Sequence, residues 1–266
     1  MATEKNIAEL INLQNAAGKK LYFLGVGGIG MSALARFFLS RGWSVSGYDK
    51  TETALTKQLV SEGIAVSYED NPALLPKDVE FVVYTPAIPK DHKEWAYYRD
   101  NNYAILKRSD VLEVISAGSF NICIGGTHGK TTITTMVAHL LRHTGFGCNA
   151  FLGGISVNYH TNFWSSDNNV SVIEADEYDR SFLKLSPDIA VISAMDPDHL
   201  DIYGTATSLE DAFIAFAGKV RAEGLLLSKF GLKRGRELKA PQQLTYSAQN
   251  EAADIHTRNI RMNDGS

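Results

Sequence analysis

An apolar run ends in a glycine-rich turn in the segment Ile122-Cys123-Ile124-Gly125-Gly126-Thr127-His128-Gly129-Lys130-Thr131-Thr132. A helical apolar pattern follows from Lys130 to His143, so the local order is strand, glycine turn, helix. This order with a Gly-Lys-Thr core predicts a phosphate-binding loop, or P-loop. The strict pattern requires glycine at position 124, where Ile124 stands, so we expect a loop one residue tighter than the standard form.

The residue types in this P-loop suit the phosphates of a nucleotide. Backbone N–H groups are expected to surround the β-phosphate, the Lys130 ammonium to neutralise β and γ oxygens, and the Thr131 hydroxyl to bind Mg²⁺. The alternative is a strand-to-helix turn that binds no ligand. The residues predicted to contact the nucleotide are Gly126, Thr127, His128, Gly129, Lys130, Thr131 and Thr132.

A second glycine cluster, Gly25-Val26-Gly27-Gly28-Ile29-Gly30, lies between an apolar run from Lys20 to Leu24 and a helical pattern from Met31 to Leu39. It matches G-x-G-x-x-G, in which glycine lets the backbone turn tightly against a diphosphate at a helix N-terminus. Asp49 ends the next predicted strand, 19 residues after Gly30, where a carboxylate can accept hydrogen bonds from a ribose. A tight turn without a ligand is the alternative. The predicted contacts to a nucleotide diphosphate are Gly25, Gly27, Gly28, Ile29, Gly30 and Asp49.

The same alternation of strands and helices organises the rest of the chain. The N-terminal part follows a β-α-β-α-β pattern, which implies a parallel sheet with right-handed crossovers. A predicted helix from Arg108 to Ala117, with Ser109 as its N-cap, ends at Gly118, and we place a domain boundary there. The predicted fold class is α/β, with a Rossmann-like parallel-sheet domain at residues 1–118. A central P-loop ATPase domain follows at residues 119–266, and it is expected to be incomplete.

Two acidic motifs follow predicted buried strands of the second domain. They are Glu174-Ala175-Asp176-Glu177-Tyr178-Asp179 and Asp196-Pro197-Asp198-His199-Leu200-Asp201. Carboxylates this close repel one another unless a cation or hydrogen-bond donors stabilise their negative charge. In a P-loop protein that cation is usually Mg²⁺. Because side chains alternate along a strand, Glu174 is the predicted Mg²⁺ ligand, with a solvated acidic loop as the alternative. His199 alone is typical of an exposed or structural histidine, but beside these motifs it is predicted to bind a second metal ion.

The composition excludes several classes of function. The 26 basic and 30 acidic side chains give a formal charge of −4, so neither nucleic acid nor an anionic membrane is a predicted partner. Two cysteines, Cys123 and Cys148, form no CxxC pair, which argues against a disulfide framework or a zinc site and favours a reducing cytoplasm. Met1 to Lys20 contains no apolar run typical of a secretory leader, and no apolar stretch approaches the roughly 18 residues that span a bilayer, so secretion is not expected. Neither membrane insertion nor an obligate protein partner is predicted.

In order and spacing, the P-loop and the motifs at Glu174-Ala175-Asp176-Glu177 and Asp196-Pro197-Asp198-His199-Leu200-Asp201 resemble those of the Mur ligases. These are ATP-dependent amide-forming enzymes that build the peptide stem of bacterial cell-wall precursors. The segments Gly25-Val26-Gly27-Gly28-Ile29-Gly30-Met31-Ser32 and Cys148-Asn149-Ala150-Phe151-Leu152-Gly153-Gly154 look like those of the members that add L-alanine to UDP-N-acetylmuramate. The similarity runs from Lys20 to at least Tyr203.

The resemblance implies an N-terminal domain for the UDP-sugar, a central ATPase domain and a C-terminal domain for the incoming amino acid. The last is absent from the 266 residues, so we expect a fragment that binds nucleotides but does not ligate alone. ATP and Mg²⁺ are the implied cofactors, and UDP-N-acetylmuramate and L-alanine the implied substrates. Lys130, Glu174 and His199 are the implied catalytic residues, and Thr131, Glu174 and His199 the implied metal ligands.

Three other interpretations stay open at this point. A related ligase that attaches a recycled tripeptide to the same sugar nucleotide shares these motifs. A nicotinamide-dependent dehydrogenase would explain the first glycine cluster and Asp49, but it leaves Lys130, Glu174 and His199 without a role. A module that only binds nucleotides is the third.

Overall fold

A computed structural model of the chain describes residues 4–11, 18–178 and 180–258. Asp179 of the first acidic motif, and the predicted chain end after Arg258, lie outside this described part. Helices and strands alternate along residues 4–117. They are α1 (Glu4–Leu10), β1 (Lys20–Leu24), α2 (Ile29–Ser40), β2 (Ser44–Tyr48), α3 (Ala54–Ser61), β3 (Ala65–Ser67), β4 (Phe81–Tyr84), α4 (Lys93–Asp100), β5 (Ile105–Lys107) and α5 (Arg108–Ala117).

The later residues also combine strands with helices and include one antiparallel hairpin. The elements are β6 (Phe120–Gly125), α6 (Lys130–His143), β7 (Asn149–Ser156), β8 (Thr161–Trp164), β9 (Val170–Glu174), β10 (Ile189–Ile192), α7 (Leu200–Tyr203), α8 (Ala206–Ala217), β11 (Leu225–Lys229), β12 (Gln242–Ser247) and β13 (Ile255–His256). Strands β7 and β8 form the hairpin.

Five parallel strands form the first sheet, in the order β3-β2-β1-β4-β5. Strand β1 is central, and its residues from Leu21 to Leu24 are buried because layers cover both faces of the sheet. The chain passes from β1 to β2 on one side and reaches β4 on the other. This is the arrangement that opens a crevice at the carboxyl end of β1, where the glycine cluster lies.

Six parallel strands, in the order β13-β12-β11-β10-β6-β9, form the second sheet region. Strand β6 lies between β10 and β9, with Ile124 aligned to Val191 on one side and Glu174 on the other. The P-loop and both acidic motifs therefore leave the sheet at the same carboxyl edge. The predicted α/β class with parallel sheets is confirmed.

Contacts divide the chain into two compact units. The first contains Met1–Ser119 and Ala138–Asn169, and the second contains Phe120–Val137 and Val170–Ser266. The hairpin joins the first unit because helix α2 is buried over its whole middle, and the Phe37 ring packs against Phe151 and Phe163 of the hairpin at 5.5 and 6.0 Å. The predicted division into residues 1–118 and 119–266 stays a prediction of domain organisation.

The start of α5 differs from the prediction. The helix begins at Arg108 with Lys107 as its N-cap, so Ser109 lies inside the helix and is buried. The N–H of Lys107 donates to the Asp110 carboxylate at 3.3 Å, which is the contact from the third helical residue back to the N-cap in a capping box. The Asp110 carboxylate also suits the positive end of the helix.

Both cysteine thiols, Cys123 and Cys148, are free and buried. Burial raises the pKa of the Cys148 thiol to about 11, which keeps it protonated and unreactive near neutral pH. Among the residues that the structure describes, no helix is long and apolar enough to cross a membrane.

A buried carboxyl group lies in the core of the first unit. Glu94 on α4 has no exposed surface, and its carboxylate accepts hydrogen bonds from the Tyr22 hydroxyl at 3.0 Å and the Asn71 N–H at 3.4 Å. Burial raises the pKa of the Glu94 carboxyl to about 7, and the two hydrogen bonds oppose this rise. The folded chain therefore holds a proton that the unfolded chain releases at lower pH.

This pKa predicts that the free energy of unfolding falls as the pH rises from the ordinary glutamate value of 4.5 to about 7. The loss is up to about 3 kcal/mol, since each unit of pKa is worth about 1.4 kcal/mol. Glu94→Gln is expected to remove this part of the pH dependence. Urea unfolding at about pH 5 and about pH 8 measures it in both proteins, and an equal pH dependence in the two would contradict the assignment.

Candidate functional site

The P-loop connects β6 to α6 and is fastened to the segment that follows β10. The Thr127 N–H donates to the Ala194 carbonyl at 3.1 Å, and the Asp196 N–H donates to the Thr127 hydroxyl at 3.1 Å. The Ser193 N–H donates to the Gly125 carbonyl at 3.1 Å. These bonds hold the P-loop against the second acidic motif, so the two predicted motifs form one region.

Gly126 stands where no side chain fits. Its φ is +128°, and a Cβ there would lie 2.3 Å from the Ser193 hydroxyl oxygen and 2.8 Å from the Ala194 backbone nitrogen. The glycine thus permits the close approach of two backbone segments that shapes the P-loop.

Gly126→Ala is therefore expected to destabilise the chain by about 2 kcal/mol or more, because the alanine combines backbone strain with overlap. Gly231→Ala is the matched control, since Gly231 has a φ of +81° but no neighbour within 4 Å of its built Cβ. Urea unfolding compares the two variants. Equal losses would show that the close approach at Gly126 is unimportant.

The two polar side chains at the start of α6 face carboxylates of the first acidic motif. The Lys130 ammonium lies 2.7 Å from Glu177 Oε1, and the Thr131 hydroxyl donates to Glu174 Oε1 at 2.9 Å. The family resemblance implied one Mg²⁺ at Thr131 and a second held by Glu174 with His199, whereas the structure places Thr131 against Glu174, an arrangement that suits a cation bound beside both. The sequence did not single out Glu177, because its contact with Lys130 joins residues 47 positions apart.

Glu177, Asp198 and His199, here called the cation group, bring one ligand atom each to within 4.8 Å of one another. Glu177 is fully buried, and its Oε2 has no hydrogen-bond partner among the described residues. An orphaned buried carboxylate oxygen beside a second carboxylate and an imidazole suits a divalent cation. The structure thus brings His199 to Glu177 and Asp198, while it brings Glu174 to Thr131.

The loop that carries Glu177 is fixed by its backbone. The Glu177 carbonyl accepts hydrogen bonds from the Tyr203 hydroxyl at 2.7 Å and from the Arg180 N–H at 2.9 Å. Arg180 and His199 both adopt left-handed backbone conformations, with φ of +59° and +48°. Such conformations cost energy in residues other than glycine and are concentrated at functional sites.

The remaining predicted P-loop residues are less enclosed. His128 Nε2 lies 3.5 Å from Asp196 Oδ2, and both side chains are largely exposed. Gly129 takes a φ of +80° just before α6, and Thr132 is exposed on its first turn. Their roles as phosphate contacts stay predictions.

The first glycine cluster forms a tight turn in the other unit. The N–H groups of Gly25 and Val26 donate to the Tyr48 carbonyl at 2.8 and 2.9 Å, and Gly28 is the N-cap of α2. The Gly27 N–H donates to Asp49 Oδ2 at 2.8 Å, so the predicted ribose-binding carboxylate also holds the turn. Ile29 and Gly30 are the first residues of α2, and the N-terminal end of a helix favours an anion.

Two side chains that the sequence did not indicate lie beside this turn. Arg108 Nη1 is 2.8 Å from the position of a Cβ built on Gly30, which places a guanidinium near the α2 N-terminus. Asn162 of the hairpin is fully buried and donates to the Ile29 carbonyl at 2.6 Å and to the Ser32 hydroxyl at 3.0 Å. Its amide oxygen accepts from Arg36. Neither has a local sequence pattern, because each reaches the turn from a distant element.

Comparison with known families matches two consecutive parts of the chain. The profile described as the Mur ligase family catalytic domain matches residues 20–119, and that of the Mur ligase middle domain matches residues 124–266. The second match alone covers more than half of the chain.

Two similar curated relatives carry the same name. The UDP-N-acetylmuramate--L-alanine ligase of Phocaeicola vulgatus is 48% identical over 253 residues, covering 93% of this chain and 55% of the relative. The ligase of the same name from Porphyromonas gingivalis is 45% identical over 254 residues, covering 93% of this chain and 56% of the relative. The chain therefore spans about half the length of the curated relatives it matches.

Solved structures give the same picture of the fold. A UDP-N-acetylmuramate-alanine ligase from Thermotoga maritima superposes with a TM-score of 0.76 at 31% identity, covering 87% of this chain and 53% of that one. A UDP-N-acetylmuramate:L-alanyl-gamma-D-glutamyl-meso-diaminopimelate ligase from Neisseria meningitides has a TM-score of 0.79 at 23% identity, covering 86% of this chain and 78% of that one. The second likeness shows the fold alone.

Proposed function

The chain belongs to the Mur ligase family, and on this basis we propose that it carries the UDP-sugar-binding and ATP-binding parts of a ligase that joins L-alanine to UDP-N-acetylmuramate. The observation that carries the proposal is the meeting of three motifs at one sheet edge. There Lys130 and Thr131 of the P-loop face Glu174, Glu177 and the rest of the cation group.

ATP with Mg²⁺ is the ligand that this edge suits best. The positive charge of the Lys130 ammonium would attract the β and γ phosphate oxygens. The backbone N–H groups at the N-terminus of α6 and the positive end of its helix dipole would attract the same phosphates. The Thr131 hydroxyl with Glu174, and the cation group beside them, are oxygen-rich donor sets of the kind that hold Mg²⁺ next to a nucleotide.

The glycine turn of the first unit is proposed to hold the diphosphate of the UDP-sugar. The N-terminus of helix α2, which follows this turn, carries a partial positive charge, and the Arg108 guanidinium adds a full positive charge beside Gly30. Asp49 is oriented by the Gly27 N–H, which leaves its other oxygen directed toward the Thr51 N–H at 3.3 Å. We therefore propose that Asp49 stabilises the turn through these hydrogen bonds and that its carboxylate, held in this position, also contacts a ribose.

The proposed reaction joins two anions that repel each other. A carboxylate oxygen of UDP-N-acetylmuramate attacks the γ-phosphorus of ATP, the bond to ADP breaks, and an acyl phosphate forms. The alanine amine then attacks the acyl carbon and loses a proton as inorganic phosphate leaves and the amide bond forms. Lys130 would draw negative charge from the transferring phosphoryl group, and Mg²⁺ held by Thr131, Glu174 and the cation group would supply further positive charge.

The choice of L-alanine as the amino acid rests on the relatives. Both quoted curated relatives, at 45% and 48% identity, carry L-alanine in their names, and among the quoted solved structures the alanine ligase is 31% identical and the tripeptide-type ligase 23%. The dehydrogenase alternative explains only the glycine turn. It gives no role to the ion pair between Lys130 and Glu177 or to the cation group. We therefore prefer the single amino acid.

Calorimetric titration of the 266-residue chain tests the proposal at the first unit. UDP-N-acetylmuramate is expected to bind in the absence of ATP, because the glycine turn and Asp49 lie within one unit. UDP-N-acetylglucosamine, which lacks the lactyl carboxylate, serves as the matched ligand and NADH as the dehydrogenase ligand. Binding of NADH without binding of either UDP-sugar would reject the ligase in favour of the dehydrogenase.

A further inference from the structure

We propose that Glu177 competes with nucleotide phosphate for the Lys130 ammonium, so that a divalent cation is needed to release Lys130 for ATP. The inference rests on the proposed function, since it deepens the account of the same ATP site. It assigns Glu177 as a positioning residue that acts through Lys130.

The contact between the two side chains is close and enclosed. Lys130 Nζ lies 2.7 Å from Glu177 Oε1, and the Lys130 side chain is 14% exposed while Glu177 is fully buried. A charge-assisted bond of this length in a water-poor position is strong. Lys130 is also the residue that a P-loop directs to the β and γ oxygens of a nucleotide. The Glu177 carboxylate and the nucleotide phosphates would therefore compete for the same ammonium group.

The two anions cannot share the ammonium without cost. A phosphate oxygen brought to Lys130 would stand beside a buried carboxylate that has no solvent to screen it, and like charges repel strongly there. The carboxylate cannot withdraw with its loop, because the Glu177 carbonyl is held by the Tyr203 hydroxyl and the Arg180 N–H. Binding of metal-free ATP should therefore be weakened by Glu177.

A cation bound at the other oxygen of the Glu177 carboxylate would reduce this repulsion. Glu177 Oε2 has no hydrogen-bond partner among the described residues, and a ligand atom of Glu177 lies within 4.8 Å of ligand atoms of Asp198 and His199. A divalent ion there would neutralise Glu177 and loosen its hold on Lys130. Cation binding and phosphate binding at Lys130 are thus positively coupled through one side chain, and such coupling is reciprocal.

The test measures ATP affinity of the 266-residue chain with excess EDTA and with excess Mg²⁺. Glu177→Gln keeps the size and hydrogen-bonding capacity of the side chain but removes its charge. We expect it to raise metal-free ATP affinity about tenfold and to leave MgATP affinity equal or lower, so that the advantage given by Mg²⁺ shrinks. An unchanged advantage would overturn the inference.

Asp198→Asn is the matched control, because it removes one negative charge from the same cation group at a residue whose ion pair is with His199. It should not reproduce the tenfold gain in EDTA. An equal gain from both variants would show that Glu177 acts only as general negative charge, which overturns competition for Lys130.

Crystal structures of the chain with and without ATP give a second readout that a purely structural role would not move. The distance from Lys130 Nζ to Glu177 Oε1 is expected to lengthen beyond hydrogen-bond range when the phosphates bind. An intact ion pair with ATP in the P-loop would overturn the inference and leave the proposed function standing. Failure of the unaltered chain to bind ATP under either condition would reject both.

Discussion

Lys130→Ala is expected to weaken MgATP binding to the chain about 100-fold while the affinity for UDP-N-acetylmuramate stays unchanged. The ammonium lies at the start of α6 and is the only side chain of the P-loop with a permanent positive charge. Its loss would remove the charge-assisted bonds that we propose between Lys130 and the β and γ phosphates. The glycine turn lies in the other unit, so its ligand should not respond.

The controls separate phosphate binding from stability. Lys130→Ala leaves Glu177 as a buried charge without its partner, which is destabilising by itself. The double variant Lys130→Ala with Glu177→Gln removes that penalty, and its MgATP affinity should still be low. Lys219→Ala removes the same charge from an exposed position in the same unit and should change neither affinity. Near-normal MgATP affinity in the double variant would show that Lys130 is not a phosphate ligand.

Gly27→Ala is expected to produce the opposite pattern, with UDP-N-acetylmuramate affinity lowered about 30-fold and MgATP affinity unchanged. A Cβ at this position would stand 2.7 Å from Asp49 Oδ2 and 2.7 Å from Thr56 Cγ2. It would push the Asp49 carboxylate away from the Gly27 N–H and distort the turn that receives the diphosphate.

Gly118→Ala is the matched control for this prediction. It makes the same substitution in the same unit but away from the glycine turn, where the built Cβ meets nothing closer than the Ile115 carbonyl at 4.0 Å. Calorimetric titration with both ligands compares the two variants, and thermal unfolding checks that each is folded. Equal losses of UDP-sugar affinity, or none in Gly27→Ala, would contradict the placement of the diphosphate at this turn.

Local patterns were sufficient for much of the fold. The glycine turn before α2 and the P-loop before α6 were predictable because strand, turn and helix follow one another within about twenty residues. The spacing of apolar residues in the sequence distinguishes the strand from the helix in each case. The helix predicted from Lys130 to His143 has those bounds in the structure. The meeting of the acidic motifs was also predictable, since carboxyl ends of parallel strands share one edge.

Long-range contacts were beyond such patterns. The grouping of Glu177 with Lys130 depends on how a loop turns at Arg180, whose left-handed conformation has no glycine or asparagine to indicate it. The position of Asn162 depends on a hairpin that packs its aromatic side chains on α2. At α5, Ser109 was a reasonable N-cap, but the helix begins earlier, at Arg108, and the Asp110 carboxylate accepts a hydrogen bond from the N–H of the actual N-cap, Lys107.

We propose that one chain holds two separate nucleotide sites, one for a UDP-sugar and one for ATP. Native mass spectrometry of the chain with UDP-N-acetylmuramate, ATP and Mg²⁺ tests whether both sites are filled together. We expect a complex that contains one of each nucleotide, with Lys130→Ala losing only ATP and Gly27→Ala losing only the UDP-sugar. Mutual exclusion of the two nucleotides, or displacement of UDP-N-acetylmuramate by NADH, would contradict the presence of two separate sites.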